Sequence, residues 1–445
     1  MVIFSVVLVL GSCARAPAPP TPAPTPTPLP TPAPTPSPDT MPPSAISGLV
    51  AVDAYDGRVN VWWDKSAAED FDHYNIYINK AEVVEVTGMK PIQQVKDIAS
   101  CRYQVTGLED GTRYYFAVTA VDKSDNENIK VASVSATPTP MPRGTKDPDI
   151  IVDIYEPDKV WAGTTFWADK HNPATPRIIE VNMLGEIIWE YVVSQQGFVE
   201  AELLPNNNIL YTVWGKGVYE IDRSGEIVWQ YLTSKIDHDA DRLPNGNTVF
   251  VFGMNDQKSD AQVTEVNTKG EIVWQWYAKD YFDKPPYASI SDEGWTHINA
   301  VTRLPNGNTT VSLRNFSMVA EVDSQGTVVR TIGEGILEGV HDPEVLPNGN
   351  ILAALIKGIP YAAIEINPSS SAVVRQFRWP KELLPQITAD ANRLPNGNTL
   401  IVGKTKMIEV TSMGEIVWQL GLKVSFSSAE EAVSLGFFKA DRISP

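Results

Sequence analysis

Three of the chain's five histidines, His238, His297 and His341, stand five to seven residues before a turn sequence that repeats. The turn reads Leu204-Pro205-Asn206-Asn207-Asn208, then Leu-Pro-Asn-Gly-Asn from Leu243, Leu304, Leu346 and Leu394. Repetition turns a sequence position into a place in space, so the three imidazoles are expected to converge. Arg314 ends the strand that leaves the turn at Leu304, and a direction count returns it to the end of the blade that carries His297. Three imidazoles can hold Zn or Cu. A guanidinium among them disfavours a second cation and instead makes a local cationic mouth on an otherwise acidic protein.

Asp239, Asp342 and Asp390 share one repeat position, and Asp390 has no His before it. An Asp that persists without the His reads as a turn acceptor or one where the strand begins. Val199 and Ala389 take the His place in two other repeats. Variation on a fixed scaffold is where function usually lies.

The scaffold beneath these groups is read from the repeat itself. Spacings of 39, 61, 42 and 48 residues between turn motifs fall in the range of propeller blades. The last repeat runs through Ala391–Leu394, Thr399–Val402, Met407–Val410 and Glu415–Gln419, four short strands joined by tight turns. Pro presets φ at its turn position, and Asn and Gly supply the conformations a bulged hairpin demands. The second half of the repeat occurs six times, with Gly185, Gly225, Gly270, Gly326 and Gly414 at matching turn places. An all-β chain is expected, its residues 148–445 forming a six-bladed β-propeller. The closing strand is expected from residues 148–160 or from the tail after Leu420. Trp189, Trp229, Trp274 and Trp418 recur on the outermost strand, which implies packing between blades. The longest stretch between turns carries Tyr277, Tyr281, Phe282, Tyr287 and Trp295 and leads into His297. It overhangs the mouth, where it could stack on a flat ring or pack on the propeller rim.

Upstream, residues 44–137 alternate in the β manner, with Val59, Val61 and Trp63 on one face and Tyr74, Ile76 and Ile78 on another. His73, beside Asp70 and Asp72, reads as a solvated surface residue. Residues 14–43, rich in Pro, Thr and Ala, read as an extended polyproline II tether, and 138–147 as a second linker. Residues 1–13 read as an export signal, its apolar run Val2–Leu10 too short to span a bilayer. The formal charge of −18 over 445 residues argues against nucleic acid, which needs clustered Lys and Arg. Apart from Cys13, Cys101 has no intrachain partner, so this is not a disulfide-built protein.

Three resemblances attach to these residues. Leu10-Gly11-Ser12-Cys13 resembles a bacterial lipobox, which implies a lipid anchor on Cys13 and an extracytoplasmic location at the membrane. Residues 108–118, Leu-Glu-Asp-Gly-Thr-Arg-Tyr-Tyr-Phe-Ala-Val, resemble a fibronectin type III domain, in which Tyr114 would be the tyrosine corner and Trp63 the central core aromatic. Gly294-Trp295-Thr296-His297-Ile298-Asn299-Ala300, with Ser312-Leu313-Arg314-Asn315, Asp237-His238-Asp239 and Val340-His341-Asp342, resembles the bacterial aryl-sulfate sulfotransferases. That resemblance implies transfer of a sulfuryl group from a phenolic sulfate ester to another phenol, with no nucleotide donor and no cofactor. It implies that His341 is the nucleophile, transiently sulfated, and that His238, His297 and Arg314 bind the sulfonate oxygens. It places Asn299, Trp295 and Asn315 at the substrate. Gly294, Ala300, Asp237 and Val340 depart from the family's usual Asp, Ser, His and Gln. The alternative is a non-catalytic propeller that displays a binding face on a lipid-anchored tether. The Gly-Glu-Ile-Val-Trp repeats also suggest a quinone-dependent dehydrogenase, a weaker match because those enzymes use more blades and an acidic metal site.

Overall fold

The computed structural model describes residues 39–357, 361–384, 387–423 and 435–445. The export signal, Cys13 and most of the Pro-rich tether lie outside the described residues. No helix among the described residues is long and apolar enough to cross a membrane.

The first seven strands form two antiparallel sheets. One holds Val50–Asp53, Val59–Trp62 and Arg102–Val105; the other orders Gln93–Val95, Phe71–Asn79, Tyr114–Asp122 and Val134–Ala136. Val59, Val61, Trp63, Tyr74, Ile76 and Phe116 fill the space between them. The Tyr114 hydroxyl accepts from the Glu109 backbone N–H at 3.2 Å, the tyrosine-corner bond. His73 is not a solvated residue. It is 9% exposed, with Nδ1 donating to Asp72 at 2.7 Å and Nε2 facing the Gln94 amide at 2.9 Å. Pairing with the neighbouring strand buries it, which the polar local sequence conceals.

The sandwich is docked on the repeat region. The Asn60 amide donates to the Pro157 carbonyl at 2.7 Å, and Trp62 packs on Trp161 with ring centroids 5.6 Å apart. Residues 138–147 are not a free spacer: Met141 is buried in this shared core, and Thr145–Lys146 pairs with the edge of the first blade.

Six sheets of at least four strands succeed one another in chain order. In each repeated turn the two ends hydrogen-bond, as in Leu243 N–H to the Asn247 carbonyl at 2.8 Å. The fourth turn residue is left-handed: Gly246 at φ +86° and, in the variant turn, Asn207 at φ +69°. Asn tolerates that conformation because its short polar side chain bonds locally.

A second repeated device clamps blade to blade on the turn side. The last Asn of each turn donates to a Glu on its blade's third strand, as Asn247 does to Glu265 at 2.6 Å. The other oxygen of that Glu takes an Arg from the next blade's inner strand: Arg242 to Glu220, Arg303 to Glu265 and Arg393 to Glu365 at 2.6–2.8 Å. The fifth blade has Val345 at the Arg place, and Glu321 pairs with Arg330 of its own blade instead. The same arginines lie over the outer-strand tryptophans of the preceding blade, Arg242 over Trp229 at 4.5 Å and Arg303 over Trp274 at 5.4 Å. Trp189, Trp229 and Trp418 each donate their indole N–H to a carbonyl in the next blade's turn, at 3.0–3.1 Å.

Both ends of the repeat region close the ring. Ala440–Ile443 becomes the inner strand of the first blade, and Ile150–Tyr155 adds a fifth strand outside Ile416–Leu422 of the sixth. The tail strand also completes the clamp, with Arg442 pairing to Glu409 at 3.2 Å and lying over Trp418.

Candidate active site

The inner strands of the third, fourth and fifth blades each begin at a histidine: His238 before Ala240–Arg242, His297 before Ile298–Arg303, and His341 within Val340–Val345. The three rings meet at the end opposite the repeated turns. His238 lies 5.2 Å from His297 and 6.4 Å from His341 between ring centroids. Arg314 follows the second strand of the fourth blade, and its Nη1 donates to His297 Nδ1 at 2.9 Å. The pseudo-symmetry therefore assembles all four groups.

Each ring is held by different partners. An imidazole nitrogen that accepts from a guanidinium carries no proton, so His297 is neutral and its Nε2 is the N–H donor. Burial, then the charges of His238 and Arg314, push its pKa down to about 2. His297 has φ +46°, a conformation costly for a residue with a Cβ. Buried Asp256 holds it there, accepting from the Trp295 N–H at 2.7 Å and from the Thr296 hydroxyl at 2.8 Å. Asp237 orients His238: Oδ1 takes the ring Nδ1–H at 2.9 Å while Oδ2 takes the Gly253 and Met254 N–H groups. His341 is buried, and its Nδ1 has no hydrogen-bond partner among the described residues. Burial first, then the charge of Lys404, hold it well below the ordinary histidine value. A neutral ring with a free lone pair is the form a nucleophile needs.

The remaining candidate residues support this arrangement from behind. Trp295 is 3% exposed, donates its indole N–H to the Tyr287 carbonyl at 3.0 Å and packs edge-on to Phe316. Phe282, Tyr287 and Phe316 complete that cluster, so the aromatic insertion packs on the rim. The Asn315 amide donates to the carbonyls of Asp292 and Gly294 at 2.8 and 3.1 Å. Asn299 is fully buried, with Oδ1 accepting from Ser312 at 2.6 Å and Nδ2 without a partner among the described residues. Among the described residues, His238, His297 and His341 do not bring one nitrogen each to within 4.8 Å of one another.

The repeated Asp residues are acceptors, as their persistence implies, and they have a partner the sequence did not reveal. Asp239 Oδ2 accepts the Val301 N–H at 2.7 Å, and Asp390 accepts the Ala440 N–H at 3.2 Å. Lys439, from the tail, enters the channel and pairs with Glu200 at 2.8 Å, Asp239 at 2.9 Å and Asp342 at 3.2 Å. Next to it, Phe438 reaches the site itself, 5.0 Å from His341 and 5.6 Å from His238. Lys170 and Lys404 also reach it, and here a sequence signal was present. Strand pairing of Thr165, Thr309 and Thr399 with Val181, Val322 and Val410 puts Lys170, Arg314 and Lys404 at one repeat position.

The class defined by fold and site is a six-bladed propeller, acidic overall, with three imidazoles and a guanidinium gathered at one end. Residues 156–336 match the family model of Arylsulfotransferase (ASST), and residues 42–132 match that of the Fibronectin type III domain. The stretch that matches the Arylsulfotransferase (ASST) model thus follows the stretch that matches the fibronectin type III model. The match includes His238, His297 and Arg314; His341 lies just beyond it. No curated protein matches the chain. Among solved structures, a protein of unknown function from Bacteroides caccae is 21% identical, covering 60% of this chain and 96% of its own, with a TM-score of 0.45. A streptogramin B lyase is 10% identical over 62% of this chain and 89% of its own, with a TM-score of 0.42. The virginiamycin B lyase of Staphylococcus aureus is 12% identical over 52% and 70%, with a TM-score of 0.36.

Proposed function

We propose that the chain transfers a sulfuryl group from a phenolic sulfate ester to a phenolic acceptor through a sulfated His341. The observation that carries this reading is the convergence of His238, His297, His341 and Arg314 in a chain whose residues 156–336 match the arylsulfotransferase family. The His341 lone pair attacks sulfur, the S–O bond to the arene breaks, and the phenolate leaves and takes a proton. The acceptor phenol then attacks the same sulfur, the N–S bond breaks, and the acceptor releases a proton, so the cycle balances. Arg314 and the His297 Nε2–H donate to the sulfonate oxygens, where charge shifts during transfer. The test is release of a coloured phenol from an aryl sulfate by the purified protein, dependent on an added phenol. Absence of release across several aryl sulfates would leave a propeller that only binds.

We further propose that the protein is exported and held at the membrane by lipid on Cys13, with the Pro-rich segment as its tether. The lipobox-like residues 10–13 support this reading. Cells fed a labelled fatty acid are expected to label the wild-type chain and not Cys13→Ser. Equal labelling of both would refute the anchor.

A further inference from the structure

Lys170 and Lys404 follow the second strands of the first and sixth blades, at the repeat position that Arg314 holds on the fourth. Their ammonium groups lie 5.4 and 5.1 Å from the centroid of the Phe438 ring. His341 and His238 touch that ring from other sides. The two lysines thus stand one aromatic ring away from the imidazole that the proposed reaction uses. Lys439 nearby has three carboxylates; Lys170 and Lys404 make no ion pair or side-chain hydrogen bond among the described residues. Lys404 is buried and Lys170 half-buried, with the Glu200 carboxylate acting on Lys170 but not bonded to it; an ammonium held in such a place without a direct partner is costly. Burial pushes Lys170 down to about 8, and burial with the charge of Lys170 pushes Lys404 down to about 7. An anion arriving between them restores the charged form and accepts their N–H groups.

We propose that Lys170 and Lys404 form a second anion subsite beside Phe438, which takes a second acidic group of the arene whose sulfate lies at His238, His297 and Arg314. The preferred substrates are then aryl sulfates or phenols bearing a carboxylate or sulfonate across the ring. Their turnover rests on the sulfotransferase reading; the subsite itself is a matter of binding.

Equilibrium titration of the full chain with benzenesulfonate and with 4-sulfobenzoate at fixed ionic strength tests it. The second probe is expected to bind about tenfold tighter, the gain of a charge-assisted hydrogen bond. In Lys170→Gln/Lys404→Gln the advantage should fall to about twofold or less, with benzenesulfonate binding unchanged. If that variant does not fold by circular dichroism, Lys170→Gln alone should lose part of the advantage. Equal affinities in the wild type, no binding of 4-sulfobenzoate, or an advantage that survives the lysine substitutions would overturn the subsite. Turnover of aryl sulfates is measured separately. A protein that prefers 4-sulfobenzoate without turnover sinks the sulfotransferase reading alone, whereas turnover without the preference sinks the subsite alone.

Discussion

Replacing His341 with alanine is expected to abolish phenol release from an aryl sulfate, with a fall of about 10³-fold or more in kcat. The other channel groups bind and polarise; in the proposed cycle only His341 forms a bond to sulfur. Removing Arg314 or His297 should cost on the order of 10²-fold, the effect of losing a donor to developing charge. The fold should survive, because the His341 Nδ1 has no partner to lose among the described residues and Val340 keeps its place in the strand. Mass spectrometry of the acid-sensitive adduct provides the second readout: wild type mixed with donor alone should carry a sulfuryl group on the peptide containing His341. An alanine variant that still turns over at the wild-type rate would move the nucleophile elsewhere. The buried setting adds a pH expectation. His341 sits well below the ordinary histidine value, so acid just beneath pH 6.5 should not silence the nucleophile.

The second large effect is on stability. Lys439→Met should destabilise the propeller by about 3–5 kcal/mol, because it removes one partner from a buried charge cluster and leaves the others uncompensated. Glu200, Asp239 and Asp342 surround its ammonium, and Asp241, Asp390 and Asp441 lie within its field. One oxygen of Glu200 and one of Asp390 are buried without a hydrogen bond among the described residues even in the wild type. Lys439 also precedes Ala440–Ile443, the strand that closes the ring, so the loss weakens closure. A melting temperature lower by on the order of 10 °C is expected at pH 8. The sign of the pH dependence is set by the carboxyl groups. Burial raises Glu200, Asp342 and Asp390. A raised carboxyl favours the folded state as pH falls toward the group's unfolded value, so the Lys439→Met deficit should shrink between pH 8 and pH 5. A melting curve unchanged by the substitution at pH 8 would refute the role of Lys439.

The site was legible to the extent that it repeats. His238, His297 and His341 stand at one place of a recurring unit, so three similar blades had to carry them to one axis. Arg314 followed from strand direction alone. Lys170 and Lys404 obey the same rule, and strand pairing rather than any turn motif brings Lys170 into register, since the first blade lacks the motif. Trp295 reads equally as a stacking surface or as packing, because composition does not say which side of a loop is covered. The structure decides for packing through Tyr287 and Phe316.

The sequence alone therefore determined the periodic part: four-stranded units, six of them, their turn residues, and histidines that begin inner strands. Local hydrophobic alternation and turn chemistry encode these features, and both act over a few neighbouring residues. The tertiary structure alone decided how the ring closes, which cation neutralises its acidic channel, and what faces His341. The residues responsible, Ile150–Tyr155 at one end and Phe438, Lys439 and Ala440–Ile443 at the other, carry no repeat motif. Their roles depend on charges and strand edges far away in sequence, Asp239 standing 200 residues before Lys439, which meet them only when the ring has formed.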